Sequence, residues 1–153
     1  MEPKEKNNVN PKVIVKKIVS ADRERVFDAW TKPELMHHWY VGGPGKSNST
    51  VDLKVGGRYT NEMLVEEATC SHGSPGIKSY MHSGEYLEIV RPERLVFTWN
   101  SPSVQNTKVT VELREVSTGT EVTLTHELLS IKDCEGHQKG WTFALEALSS
   151  YLG

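Results

Sequence analysis

Apolar residues keep a period of two through residues 108–129 of this chain and then switch to a period near 3.6 between Cys134 and Gly153. That single switch narrows the available folds more than any other feature. Within Lys108–Val116, Val109, Val111 and Leu113 fall on one side of a strand, and Thr110, Glu112 and Arg114 fall on the other. Val122, Leu124 and Leu128 repeat the pattern, and Ser117-Thr118-Gly119 joins the two runs. Such alternation describes an antiparallel sheet with one wet face and one buried face. The terminal segment then places Trp141, Ala144, Leu145, Leu148 and Leu152 on one helical stripe, with Glu146 and Ser149 off it. A one-sided sheet and a one-sided helix bury each other, which predicts an α+β fold.

The rest of the chain fits that plan. Residues 12–19, KVIVKKIV, form a β-branched run that reads as a first strand. Ser20 is the expected cap of a short helix carrying Val26, Phe27, Ala29 and Trp30. Thr31-Lys32-Pro33-Glu34 has the form of a capping box before a second short helix with Leu35, Met36 and Trp39. Residues 41–50 read as a Gly/Ser loop, 51–55 as a strand, Gly56-Gly57 as a turn and 58–67 as the return strand. A polar loop at 69–77 precedes a long strand at 78–90, with a bulge expected at Gly84, and a turn at 91–94 leads into 95–100. The expected order is one strand, two short helices, six strands and a terminal helix. Residues 1–11 read as a loose arm and 12–153 as a single domain.

Charge and composition remove several functions. With 18 Lys+Arg against 20 Asp+Glu, the net charge of −2 offers no pull toward nucleic acid or acidic lipid. Hydrophobic residues at 37% and charged residues at 25% suit a globular domain rather than a disordered or membrane chain. The N-terminal residues lack the apolar core of a signal peptide, and Cys70 and Cys134 form no motif, so a cytoplasmic location is expected.

Motif-like strings carry little chemistry. Gly42–Ser47, GGPGKS, ends like a phosphate-binding loop, but Tyr40 stands where its first Gly belongs, and a helix precedes it rather than a strand. His37 and His38 are adjacent, about 100° apart on a helix, and cannot chelate together. Cys70, His72 and His82 match no structural-zinc spacing. No catalytic residue, cofactor or metal is therefore expected.

Particular stretches resemble a known family. They are FDAWTKPELMHHW at 27–39, DLKVGG at 52–57, GEYLEIVRPERLVFTW at 84–99, VTVEL at 109–113, GTEVTLTHE at 119–127 and GWTFALEALSSYL at 140–152. Together they resemble the family related to the C-terminal domain of the activator of Hsp90 ATPase. That family lies in the START-like, Bet v 1-like (SRPBCC) superfamily of helix-grip folds, in which a curved antiparallel sheet wraps the terminal helix. The resemblance implies a cavity between sheet and helix. An apolar void of about 300 Å³ would cost about 7 kcal/mol at roughly 24 cal/mol per Å³. Such a cavity must be small, wet or filled.

Alternation suggests which side chains face it: Met63, Val65, Leu95, Phe97, Trp99, Val111 and Leu124 from strands, with Trp141, Phe143, Leu145 and Leu148 from the helix. All of them are also compatible with plain core. Tyr59 and Trp39 are candidate aromatic walls at its mouth, although Trp39 better suits an anchor between the short helices. Either Glu85 or Tyr86 points inward, depending on the bulge. His126 shares the register of Leu124 and should be buried, bonded to a carbonyl or carboxylate, or else orienting a ligand or exchanging a proton. Gly136 and Gly140 each cost about 1 kcal/mol relative to Ala inside a helix. Close approach to a strand or to loop 42–47, making a gate, would account for them, as would a frayed first turn.

The expected function is non-enzymatic binding of a small hydrophobic molecule, a lipid or aromatic metabolite. The resemblance also implies regulation of a chaperone partner, or a cyclase- or hydrolase-like activity using His126 with Glu85 or Tyr86. Neither nucleic acid nor membrane is an expected partner, and the edge strand 12–19 admits a monomer or a homodimer.

Overall fold

Seven strands form one curved antiparallel sheet in the order β1-β7-β6-β5-β4-β3-β2 in the computed structural model. It describes residues 11–40, 47–67, 76–102 and 104–153, without the side chains of 47, 64–67 and 76–80. The expected arm, most of the two loops at 41–50 and 69–77, Cys70, His72 and the side chain of Val65 lie outside the described residues. The strands are β1 (Lys12–Val19), β2 (Ser47–Val51), β3 (Arg58–Glu67), β4 (Gly76–Val90), β5 (Arg94–Trp99), β6 (Thr107–Val116) and β7 (Gly119–Glu127). The helices are α1 (Arg23–Thr31), α2 (Pro33–Met36) and α3 (Ile131–Leu152). The α+β helix-grip order read from the sequence is the observed one.

Alternation does its expected work in β6 and β7. Val109, Val111, Leu113, Val122 and Leu124 are buried, and pairing Val111 with Leu124 and Val109 with His126 puts them on one inner face. Trp141, Ala144, Leu145, Leu148 and Leu152 of α3 pack onto that face. Burying a side chain of this size stabilises by about 1.5–3 kcal/mol, so the stripe on α3 is what fixes the helix to the sheet.

Several local expectations move by a few residues. Asp22, not Ser20, caps α1, its carboxylate accepting from the Arg25 N–H at 2.9 Å. Thr31 is the last residue of α1 and donates to the Phe27 carbonyl at 2.9 Å, so no capping box forms. Lys32 occupies the α2 cap without a side-chain bond, and Pro33 at the first helical position starts that helix. The strand expected at 51–55 lies earlier, at Ser47–Val51, because 52–57 are used by the turn. Gly56, at φ +87, supplies that turn's left-handed residue, and the turn docks on β4 through Gly56 N–H to Tyr86 O at 2.8 Å.

The β4 bulge sits at Tyr86/Glu88 rather than at Gly84. Gly84 is regular and closely crossed, since a Cβ there would stand 1.9 Å from the Thr98 carbonyl oxygen. Tyr86 consequently faces the core, while Glu85, its neighbour on the strand, turns the other way. Leu128 does not continue the inward series. It follows the end of β7 at φ +67 and is 58% exposed, and Leu129 is the buried residue instead.

Candidate functional site

The interior beneath the helices has two ends. Near α1 and α2, Trp30, Tyr40, Tyr59, Tyr86 and Phe97 close on one another. Trp30 and Trp39 centroids lie 4.8 Å apart, and Tyr59 meets Phe97 edge-on at 5.3 Å. Trp39 donates its indole N–H to the Ala29 carbonyl at 2.9 Å, so it anchors the short helices as well as filling the core. The Tyr59 hydroxyl donates to the Thr98 carbonyl at 2.6 Å. Burial raises the pKa of Tyr40, Tyr59 and Tyr86, which stay neutral phenols. Only about 10 Å³ is left between these rings.

At the other end lies a cavity of about 450 Å³ between the first half of α3 and the sheet. Its sheet side is Met63, His82 and Trp99, its helix side is Lys132, Asp133, Gly136, His137, Gly140, Trp141, Phe143 and Ala144, and Tyr40 closes one end. A sealed apolar void of that size would cost about 11 kcal/mol, most of a domain's stability of roughly 5–15 kcal/mol. Exposed residues on its margin, Lys132, Gly136, Gly140 and Phe143, give solvent access instead. A larger surface depression of about 580 Å³ follows Ala21–Glu24, Pro92 and Glu115–Gly119, but it is a charged trough between turns with no aromatic wall.

His126 belongs to the wall's support rather than to its surface. It is fully buried. The Trp141 indole N–H, which can only donate, gives its hydrogen bond to His126 Nδ1 at 3.0 Å. The proton of the imidazole therefore sits on Nε2, which donates to Thr107 Oγ1 at 2.9 Å, and that hydroxyl donates to the Trp99 carbonyl at 2.7 Å. This one-way chain fixes the Trp141 indole and ties it to the backbone of Trp99. Burial, with smaller effects of neighbouring His137 and His82, lowers the His126 pKa to about 3. Both of its nitrogens are occupied, and its partners are a hydroxyl and an indole rather than the expected carbonyl or carboxylate.

His82 and His137 do reach the cavity. The His82 ring lies 4.2 Å from that of Trp99, and burial followed by the nearby His137 charge lowers its pKa to about 4. His137 donates from Nδ1 to the Asp133 carbonyl at 2.8 Å. Two polar atoms of the sheet wall, Trp99 Nε1 and His82 Nδ1, have no hydrogen-bond partner. Leaving a buried polar group unmet costs about 1–3 kcal/mol. Among the described residues, no group of three or more His, Cys, Asp or Glu could hold a metal ion.

The candidate residues thus divide. Met63, Trp99, Trp141 and Phe143 line the open cavity. Tyr59, Tyr86, Leu95 and Phe97 surround the small closed gap. Trp39, Val111, Leu124, His126, Leu145 and Leu148 are packed core, and Glu85 faces away from Tyr86. Eight contributors to the wall, Tyr40, His82, Lys132, Asp133, Gly136, His137, Gly140 and Ala144, were not among the cavity candidates. Their signals were present: His82, Gly84 and Tyr86 share one strand face, and His137 precedes Trp141 by one helical turn. The glycines lie well inside α3, five and nine residues past Ile131, so neither is in a frayed turn. A Cβ on either would meet no described atom within 4 Å, so close packing does not account for them.

A curved antiparallel sheet gripping a terminal helix over a cavity defines a helix-grip protein. The chain belongs to the family described as activator of Hsp90 ATPase homolog 1-like protein, which matches residues 20–153. Folds of this family commonly enclose hydrophobic ligands. Similar solved structures include a protein from Chromobacterium violaceum at 24% identity and TM-score 0.75, covering 94% of this chain and 98% of that one. An AHSA1-like protein from Aeromonas hydrophila is 23% identical at TM-score 0.74, covering 92% and 91%. CalU16 from Micromonospora echinospora is 22% identical at TM-score 0.69, covering 93% and 76%. At these identities the likeness concerns the fold. No curated protein matches the sequence. No helix among the described residues is long and apolar enough to cross a membrane.

Proposed function

We propose that this protein binds a small, predominantly apolar molecule in the cavity beneath the first half of α3. The observation that carries this reading is the contrast in volume, about 450 Å³ at one end of an interior that closes to about 10 Å³ at the other. A chain able to pack five aromatic rings at one end leaves the other open, and a volume of this size falls in the range of small-molecule sites. Trp99, Trp141, Met63, Phe143 and Tyr40 supply apolar contact, and the exposed margin supplies an entrance. His126 supports the wall by fixing Trp141, with no part in proton transfer.

Native mass spectrometry of the freshly purified chain tests the reading. A retained small molecule, lost in a variant with Ala144→Trp to fill the cavity, is the expected outcome. No retained mass, together with no thermal shift from a panel of fatty acids, sterols and aromatic acids, would remove it.

A further inference from the structure

We infer that the cavity selects planar aromatic acids, in particular two-ring carboxylates. This rests on the reading of the cavity as an apolar-ligand site and states its chemistry. The helix wall is flat because Gly136 and Gly140 are one turn apart on α3 and both line the cavity. Each position disfavours the helix, and no described atom occupies the space their side chains would take. What they leave is bare helix backbone, a surface against which a planar ring can lie.

The opposite wall is aromatic. The His82 and Trp99 rings lie 4.2 Å apart at a tilt of 33°, and Trp99 sits 5.0 Å from Trp141 on the helix side. A slot between a bare helix and aromatic faces suits a ring system better than a flexible chain, because stacking is directional and planar ligands lose little entropy on binding.

A charged group at the margin of the slot asks for an anion. Lys132 lies on the cavity margin with no ion pair or hydrogen bond among the described residues, while the neighbouring Asp133 carboxylate is held by the Ser130 hydroxyl at 2.7 Å. Lys132 is in the first turn of α3, where the helix dipole adds to its attraction for an anion. From Lys132 to Gly140 the helix rises about 12 Å, roughly the length of a two-ring acid. The carboxylate therefore pairs with Lys132 and the rings cover Gly136 and Gly140.

Isothermal titration of the full chain with 6-hydroxy-2-naphthoate, 2-naphthol and dodecanoate tests this. The hydroxynaphthoate should bind at least tenfold more tightly than either of the others. Lys132→Gln should erase the preference over 2-naphthol while leaving 2-naphthol affinity unchanged. Gly136→Ala and Gly140→Ala should weaken hydroxynaphthoate tenfold or more and raise the melting temperature of the ligand-free protein. A gain in stability with a loss of binding is what a structural role for the glycines does not produce. Dodecanoate binding without hydroxynaphthoate would overturn the selectivity and leave the apolar-ligand reading standing. Binding of none of the three, with no retained mass from native spectrometry, would overturn both.

Discussion

The two ends of this interior share a sheet and a richness in aromatic rings, yet one is closed and the other open. Trp30, Tyr40, Tyr59, Tyr86 and Phe97 close one end to about 10 Å³, on the order of a single water. Trp99, His82 and Trp141 surround about 450 Å³ at the other. The difference lies in what the helices present. α1 pushes Trp30 inward, the turn after α2 does the same with Trp39, and the second half of α3 contributes Leu145, Leu148 and Leu152. The first half of α3 contributes Gly136 and Gly140. The lesson is that a cavity in such a fold is made by omission on the helix rather than by special residues on the sheet.

The comparison breaks most visibly at Trp39. Replacing this fully buried ring with Ala should cost about 3–5 kcal/mol, since it removes a large core side chain and its bond to the Ala29 carbonyl. Urea unfolding read by circular dichroism checks this, and a cost under about 1 kcal/mol would mean that the closed end is less tightly packed than its geometry implies.

Acid should act through the open end. His126 and His82 have folded pKa values of about 3 and about 4, below the ordinary value of 6.5. The unfolded chain therefore binds protons first, and stability present above pH 6.5 is lost as pH falls toward 4. For His126 alone the loss between pH 6.5 and 4 is on the order of 3 kcal/mol at 1.36 kcal/mol per unit. Denaturation midpoints between pH 7.5 and 4.5 measure it, and His126→Gln should flatten the profile while lowering stability at pH 7.5.

Substitution at the glycines runs the other way. Gly136→Ala and Gly140→Ala should each stabilise by about 1 kcal/mol, or roughly 2–4 °C in melting temperature for a chain of this size. A loss of stability would show that the bare helix wall is a packing requirement. The smallest effect belongs to Phe143, which lines the cavity at 63% exposure. Phe143→Ala should change stability by no more than about 0.5 kcal/mol, and a larger cost in the same urea assay would place that ring in the core.

Period alone carried most of the architecture. Alternation in β6 and β7 and the stripe on α3 placed the sheet, the helix and the face between them, because burial on one side leaves a direct mark on residue spacing. Endings were harder to read. Leu128 fits the alternation of Val122 and Leu124, but the strand has already ended at Glu127. Asp22 and Ser20 are equally good caps by type, and only the start of α1 at Arg23 separates them. The bulge at Tyr86/Glu88 depends on a turn from another hairpin docking there, which no local pattern records.

The site was legible only in part. Inward direction can be counted along a strand, but whether an inward residue meets a neighbour or empty space depends on the opposing helix. Val111 and Leu124 face the same side as Trp99 and are simply covered. His126 could be placed inside from its register, whereas its partners, 15 and 19 positions away in sequence, could not.

The chain's four tryptophans follow one another through the interior. Trp39 lies 4.8 Å from Trp30, Trp30 lies 6.2 Å from Trp141, and Trp141 lies 5.0 Å from Trp99. Electronic excitation absorbed by any one of them can pass along the row, so the closed and open ends share a single excited state reservoir. A molecule settling beside Trp99 and quenching it would then dim the emission of indoles it never touches, and the protein carries its own optical reporter of an occupied cavity.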